Sequence, residues 1–222
     1  LGAAYHAAPW IYPEVVPDTM DRRLTIIQGD LTLLPLRDGA IINPSNTGMI
    51  LTNRGIGQQL LRRAGPFIQQ TLHTERSRLR GGRLDPGHVL ATDAGQLQAS
   101  KLIHVAIVGG RKVNSRLIAR GLLNAYDLAD EIGMQALGIP PLGPGISKLS
   151  MEEFLEVFWR ITAEEFLRLE NVMDIFLCAD SDEEFQQIKA YATEHVDELP
   201  EGIELDISED GISLSMFSSQ FQ

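Results

Sequence analysis

Short aliphatic runs alternate with amphipathic helical stretches along this chain, and that alternation restricts its fold more than any other feature. Residues 24–28, 40–43, 88–92, 102–108, 136–139 and 174–178 are aliphatic or β-branched and too short for helices, so they read as buried strands. Between them the apolar spacing is helical. Leu60, Leu61, Ala64, Phe67, Ile68 and Leu72 share a face over 57–74. A second helix is expected over 117–132, with Gly133 as its C-terminal cap. Ser150-Met151-Glu152-Glu153 has the form of a capping box opening a helix to about residue 169, and Ser181-Asp182-Glu183-Glu184 opens another. Strands separated by helices pair in parallel, with helices on both faces of the sheet.

Length and composition agree with such a fold. A chain of 222 residues buries roughly 70% of its unfolded surface, so no disulfide or metal staple is needed. Cys178 is the one cysteine, which excludes an internal disulfide and suits a reducing compartment; a cytoplasmic location is expected. No apolar run reaches the length of a membrane span, and Pro9, Pro13 and Pro17 interrupt the first residues where a signal peptide would need an apolar block. A net charge of −11 argues against a nucleic-acid partner. The five histidines lack metal-ligand spacing, and no cofactor is implied.

The acids are unevenly placed. Residues 196–222 carry Asp197, Glu198, Glu201, Glu204, Asp206, Glu209 and Asp210 with no Lys or Arg. The main domain is therefore expected over 20–195, between an N-terminal extension over 1–19 and an acidic tail over 196–222. Asp210-Gly211 is a hairpin-turn dipeptide between 203–208 and 212–217. The tail is expected to form a small hairpin or stay disordered, and to be dispensable.

Three loops follow strands, which is where an open α/β sheet places ligands. Gly29-Asp30-Leu31-Thr32 follows the first strand; its carboxylate can accept from an adenine amino group or a sugar, or cap a helical turn. Asn43-Pro44-Ser45-Asn46 is followed by Gly48 and by Asn53-Arg54-Gly55-Ile56-Gly57 at a helix entrance, where free amides and the helix dipole favour phosphate. Pro140-Pro141-Leu142-Gly143-Pro144-Gly145-Ile146 follows the 136–139 strand and, taken alone, also suits a rigid connection.

In this order the loops resemble the macrodomain family. Its pattern has a Gly-Asp-Ile-Thr start, a Val-Asn-Ala-Ala-Asn strand end, a Gly-rich loop into a helix ending in Ala-Gly, and a late Gly-Thr-Gly loop. The corresponding residues here are Gly29 to Thr32, Ile42 to Asn46, Gly55 to Gly57 leading to Ala64-Gly65, and Gly143 to Ile146. The resemblance covers about residues 24–191 and implies a three-layer α/β/α sandwich with a mixed, mostly parallel central sheet. It also implies that ADP-ribose or an ADP-ribosylated molecule binds at the strand carboxyl ends. By that resemblance Asp30 accepts from the adenine amino group beside the Leu31 amide, and Asn46 stands near the distal ribose. Gly55, Ile56 and Gly57 meet the diphosphate, and Gly143, Pro144, Gly145 and Ile146 form the second diphosphate loop. Asn43 would tie the strand end together, and His104 reads as a structural histidine.

The departures from the pattern bear on chemistry. Thr52-Asn53-Arg54 replaces glycines, and Arg54 either meets phosphate or points to solvent. Pro144 removes one amide donor, and Ala179-Asp180 stands where relatives often place an aromatic. Hydrolytic relatives often carry Asp and His at the positions of Gly57 and Leu61, and neither residue here can move a proton. Three functions follow: a binder of ADP-ribose or its conjugates, a hydrolase of ADP-ribose derivatives, or an interaction domain without nucleotide binding. Retained Asp30, Asn46 and loop glycines favour the first two, and the missing Asp and His favour the first.

Overall fold

The computed structural model describes residues 22–108 and 113–212, so the N-terminal extension and the expected second hairpin arm, from 213 on, lie outside the described residues. Strands β1 (Arg22–Gln28), β2 (Gly39–Asn46), β3 (Val89–Asp93), β4 (Lys101–Val108), β5 (Ala136–Ile139), β6 (Asp174–Ala179) and β7 (Ile203–Ser208) form one sheet in the order β3-β4-β2-β5-β6-β1-β7. Neighbours are parallel except β3 and β4, which a short loop joins in place of a helix. The helices are α1 (Gly55–Arg63), α2 (Ile68–Arg78), α3 (Ser115–Glu131), α4 (Met151–Glu165) and α5 (Asp182–Glu194).

Side chains alternate through the sheet, so each inner strand feeds two cores. Leu24 and Ile26 of β1 face one side and Ile27 the other; Ile42 and Ile41 of β2 divide likewise. On the larger face α3, α4 and α5 pack Tyr126, Phe154, Phe158, Trp159 and Phe185 onto the sheet. On the smaller face α1 and α2 contribute Leu60, Ile68 and Leu72, with Leu31, Leu34 and Leu36 from the loop after β1. This is the expected mixed, mostly parallel three-layer sandwich.

Two sequence expectations change. The helix expected over 57–74 is two helices, because Gly65 takes φ 90° and Pro66 has no N–H to continue the first. Its apolar periodicity runs on because both pieces pack against the same core. The tail is the second correction. Residues 203–208 join the domain as β7, paired in parallel with β1 from Arg22↔Ile203 to Ile27↔Ser208, and the arm expected over 212–217 lies outside the described residues from 213 on. Ile203, Leu205 and Ile207 pack against the larger core, while Glu204 and Asp206 alternate outward and are exposed. The acids that mark the tail as solvent-facing are one side of a strand whose other side is apolar.

Helix α3 is tied to β6 through Asp130, whose carboxylate accepts from the backbone N–H of Glu170, Asn171 and Val172 at 3.0, 2.6 and 3.3 Å. Burial pushes its pKa up, but these amides and the Arg22 charge outweigh burial and hold it below the ordinary carboxylate range. A depressed folded-state pKa means its stabilisation is complete above the unfolded value and is lost as pH falls through the folded one. Asp130→Asn is expected to lower stability at neutral pH and to flatten the acid-side fall, measured by denaturant unfolding across the carboxylate range. No helix among the described residues is long and apolar enough to cross a membrane.

Candidate functional site

Strands β2, β5, β6 and β1 are adjacent in the sheet, and the loops leaving their carboxyl ends surround one cavity of about 580 Å3. That volume lies within the range of roughly 300–1,000 Å3 usual for small-molecule sites. Of the residues singled out in the sequence, Leu31, Asn46, Gly55, Ile56, Gly57, Pro144, Gly145 and Ile146 line it, and Asp30 and Gly143 do not.

One wall is the N-terminus of α1. Helices α3, α4 and α5 are capped by the side chains of Asn114, Ser150 and Ser181, whereas Arg54 at the start of α1 makes no side-chain cap. The positive end of the helix dipole at Gly55, Ile56 and Gly57 therefore faces the cavity beside the Arg54 side chain. Gly57 is required by close packing: a Cβ there would lie 2.8 Å from the Thr52 carbonyl oxygen and 3.0 Å from its nitrogen. An acid at this position has no room unless the loop backbone moves. Leu61 packs into the smaller core and is not part of the cavity.

A second wall is the loop after β5. The amides of Ile146 and Ser147 turn back onto the Gly143 carbonyl at 3.2 and 2.9 Å, and Pro144 has no N–H. Gly143 takes φ 111° with its Cβ position 2.7 Å from Leu149 Cδ2, so it shapes the loop from the core side. Gly145 has open space at its Cβ position and lines the cavity.

Two polar side chains are partly engaged by the protein itself. Asn46 donates from Nδ2 to the Ile50 carbonyl at 2.6 Å and accepts from the Ile50 N–H at 3.3 Å, closing the loop after β2. Its second N–H and second lone pair are what it can offer a ligand. Asp30 caps the turn Leu31–Leu33 by accepting from Thr32 N at 3.0 Å, and its Oδ2 pairs with Arg63 Nε at 2.9 Å. The capping role that the sequence left open is thus present, and the carboxylate stands just behind the cavity wall.

The floor is a buried polar chain set by strand register. Asn43 and His104 are paired residues on β2 and β4, and Asn43 Nδ2 lies 2.9 Å from His104 Nδ1. His104 Nε2 lies 3.0 Å from Thr92 Oγ1. Complete burial lowers the His104 pKa to about 3, so the ring is neutral, and with Asn43 donating to Nδ1 the proton sits on Nε2. The expected structural roles of Asn43 and His104 describe this arrangement. Asn43 Oδ1 is buried with no hydrogen-bond partner, at a residue that lines the cavity. Cys178 also lines it, but burial and then the charges of Asp180, Asp30 and Glu184 push its thiol pKa up, so no thiolate nucleophile is available.

Where β6 stops, Asp180 stands at the position where the family resemblance implies an aromatic, and it is joined by Gln59 and Glu184, for which no site role was expected. Asp180 Oδ1 accepts from Gln59 Nε2 at 2.8 Å, linking α1 to the β6 loop across the cavity. Ser181 caps α5 as expected, but the Glu184 carboxylate bonds the Asp180 N–H at 3.0 Å, one residue earlier than a capping box requires. Gln59 had no sequence signal beyond its place one turn after Gly55. Glu184 had one: a capping motif directly after a strand end puts its third residue at the mouth of the sheet. The cavity lining thus joins Arg54 and an uncapped helix N-terminus to the carboxylates of Asp180 and Glu184.

Residues 42–158 match the Macro domain family. The chain belongs to the macro domain family. A Klebsiella pneumoniae relative named O-acetyl-ADP-ribose deacetylase is 30% identical over 71% of this chain and 89% of its own length. One of the same name from Citrobacter rodentium is 28% identical over 73% of this chain and 92% of its own length. Among solved structures, an Oceanobacillus iheyensis macrodomain mutant with ADPR superposes with a TM-score of 0.70 at 18% identity, covering 78% of this chain and 94% of that one. A Trypanosoma brucei macrodomain in complex with ADP-ribose gives 0.65 at 21%, covering 78% and 71%. At such identities the structural likeness speaks to the macrodomain fold.

Proposed function

We propose that the cavity binds ADP-ribose or an ADP-ribosylated molecule and that this chain acts as a binder. The observation that carries this reading is the cavity at four adjacent strand ends, lined by the uncapped N-terminus of α1. The diphosphate sits against the Gly55, Ile56 and Gly57 amides and Gly145, near Arg54, where the helix dipole favours anions. Adenine extends past Leu31 toward Asp30 and Asp180, carboxylates that accept from its amino group, and the distal ribose lies toward Asn46. The family relationship supports the ligand, since relatives named for ADP-ribose chemistry match most of this chain. The reducing setting expected from a lone, buried thiol is consistent with a cytoplasmic location.

A second reading is hydrolysis of an O-acyl ester of ADP-ribose, which the names of the relatives favour. Against it stands Gly57, whose contact with Thr52 leaves no space for a side chain that orients water.

Paired variants at Asp30 test the placement. Asp30→Ala removes both the Thr32 cap and the charge, and is expected to weaken ADP-ribose binding about 10- to 100-fold, as for loss of a charge-assisted hydrogen bond. Asp30→Asn keeps an acceptor for Thr32 and is expected to recover loop order without full affinity. Calorimetric titration reads both, and unchanged affinity in Asp30→Ala removes Asp30 from the site.

A further inference from the structure

One stretch of this acidic chain is strongly basic. Between 62 and 83 stand Arg62, Arg63, Arg76, Arg78, Arg80 and Arg83 against a single acid, Glu75, although the whole chain carries −11. Glu75 is taken by Arg78 at 2.6 Å and Arg63 by Asp30 at 2.9 Å. No acid of the stretch is therefore left for Arg76, Arg80 and Arg83.

These three arginines border the loop that follows Asn46, itself a residue of the cavity lining. The loop after β2 rests on α2: Gln69 Oε1 accepts from Leu51 N at 3.0 Å, and Arg76 Nη1 donates to the Gly48 carbonyl at 3.2 Å. Gln69 and Arg76 are two turns apart on one helix face, with exposed His73 between them. Leu84 N bonds the Thr47 carbonyl at 2.9 Å, which sets exposed Arg83 beside the same loop and Arg80 just before it. The basic rim thus borders Thr47 and Gly48, directly after Asn46.

We propose that this rim receives an acidic segment of the molecule that carries the ADP-ribose. The inference rests on the reading of the cleft given above, in which the distal ribose lies toward Asn46 and its substituent leaves past Thr47 and Gly48. Charge complementarity selects the occupant. A short acidic flank meets only the local arginines, whereas an extended polyanion runs on to the rest of a chain whose net charge is −11. Placement by position and charge, with Arg76 anchored on Gly48, gives selectivity without touching the cleft itself.

The test uses the full chain and three probes: free ADP-ribose, a peptide ADP-ribosylated on one serine with glutamate flanks, and its counterpart with glutamine flanks. Wild type is expected to bind the acidic-flanked peptide about tenfold more tightly at low salt, the yield of two or three exposed ion pairs. The gap is expected to close at high salt as the Debye length shrinks. Arg80→Glu with Arg83→Glu is expected to abolish or invert the preference while leaving the affinity for free ADP-ribose unchanged. Equal binding of the two peptides by wild type, with ADP-ribose bound, overturns the rim and leaves the cleft standing. Absence of ADP-ribose binding overturns both. A single-stranded oligonucleotide that displaces the acidic peptide at equal charge assigns the rim to nucleic acid and overturns the proposal.

Discussion

Incubated with a glutamate-linked ADP-ribose conjugate, this protein is expected to release free ADP-ribose more slowly than about once per minute at neutral pH, far below a typical enzyme median of about 10 per second. Cleaving that ester requires water activated near the anomeric carbon and a group to handle the proton of the leaving carboxylate. General acid–base assistance contributes roughly 10²–10⁴-fold, so its loss is visible even where binding is tight. Of the polar groups at the cavity, the Asn46 amide is not a base, the Asp180 and Glu184 carboxylates are held by Gln59 and by the Asp180 N–H, and His104 is neutral and buried beneath Asn43. Position 57 is closed by the Thr52 backbone, and Leu61 belongs to the core. Gly57→Asp is accordingly expected to abolish ADP-ribose binding and to create no turnover, because the new side chain displaces the loop that presents the amides. The conjugate is compared with a heat-killed control by following free ADP-ribose. Turnover faster than about once per minute makes the hydrolase reading correct.

Truncation after His195 is expected to destabilise the domain heavily. In the full chain β1 is paired on both sides, by β6 and β7, and its edge toward β7 would become bare. The deletion removes Leu199, Ile203, Leu205 and Ile207 from the larger core and Ile212 from the smaller one, where it packs over Gly29 at the cavity wall. Partly buried side chains of this size contribute roughly 1 kcal/mol each, about 4–5 kcal/mol together. For a domain of this size that corresponds to roughly 8–20 °C in Tm. Thermal melting of the two forms checks this, and a truncated chain melting within about 2 °C of the full one contradicts the structural role of β7.

What the sequence disclosed follows from which interactions are local. Strands β4, β5 and β6 and the caps of α4 and α5 announce themselves through adjacent residues: apolar runs, Ser150 with Glu153, Ser181 before Glu184. The three loops were legible as ordered motifs, and most of their residues meet at one cavity. What escaped was set by distant partners. Strand β7 looked like an acidic hairpin because its apolar side is defined only by the core it joins. Gly143 looked like a ligand glycine, yet the atoms that exclude a side chain there belong to Leu149. Asp180 and Gln59 are far apart in the chain and carry no motif, so their contact across the cavity could come only from the fold.

Calorimetric titration of the intact protein with ADP-ribose decides whether the cavity at the ends of β1, β2, β5 and β6 is an ADP-ribose site. A saturable heat with one ligand per chain is expected, weakened by Asp30→Ala and lost in Gly57→Asp, with no accompanying turnover. A flat titration at millimolar ADP-ribose, which bounds any binding free energy to weaker than about −4 kcal/mol, would contradict it.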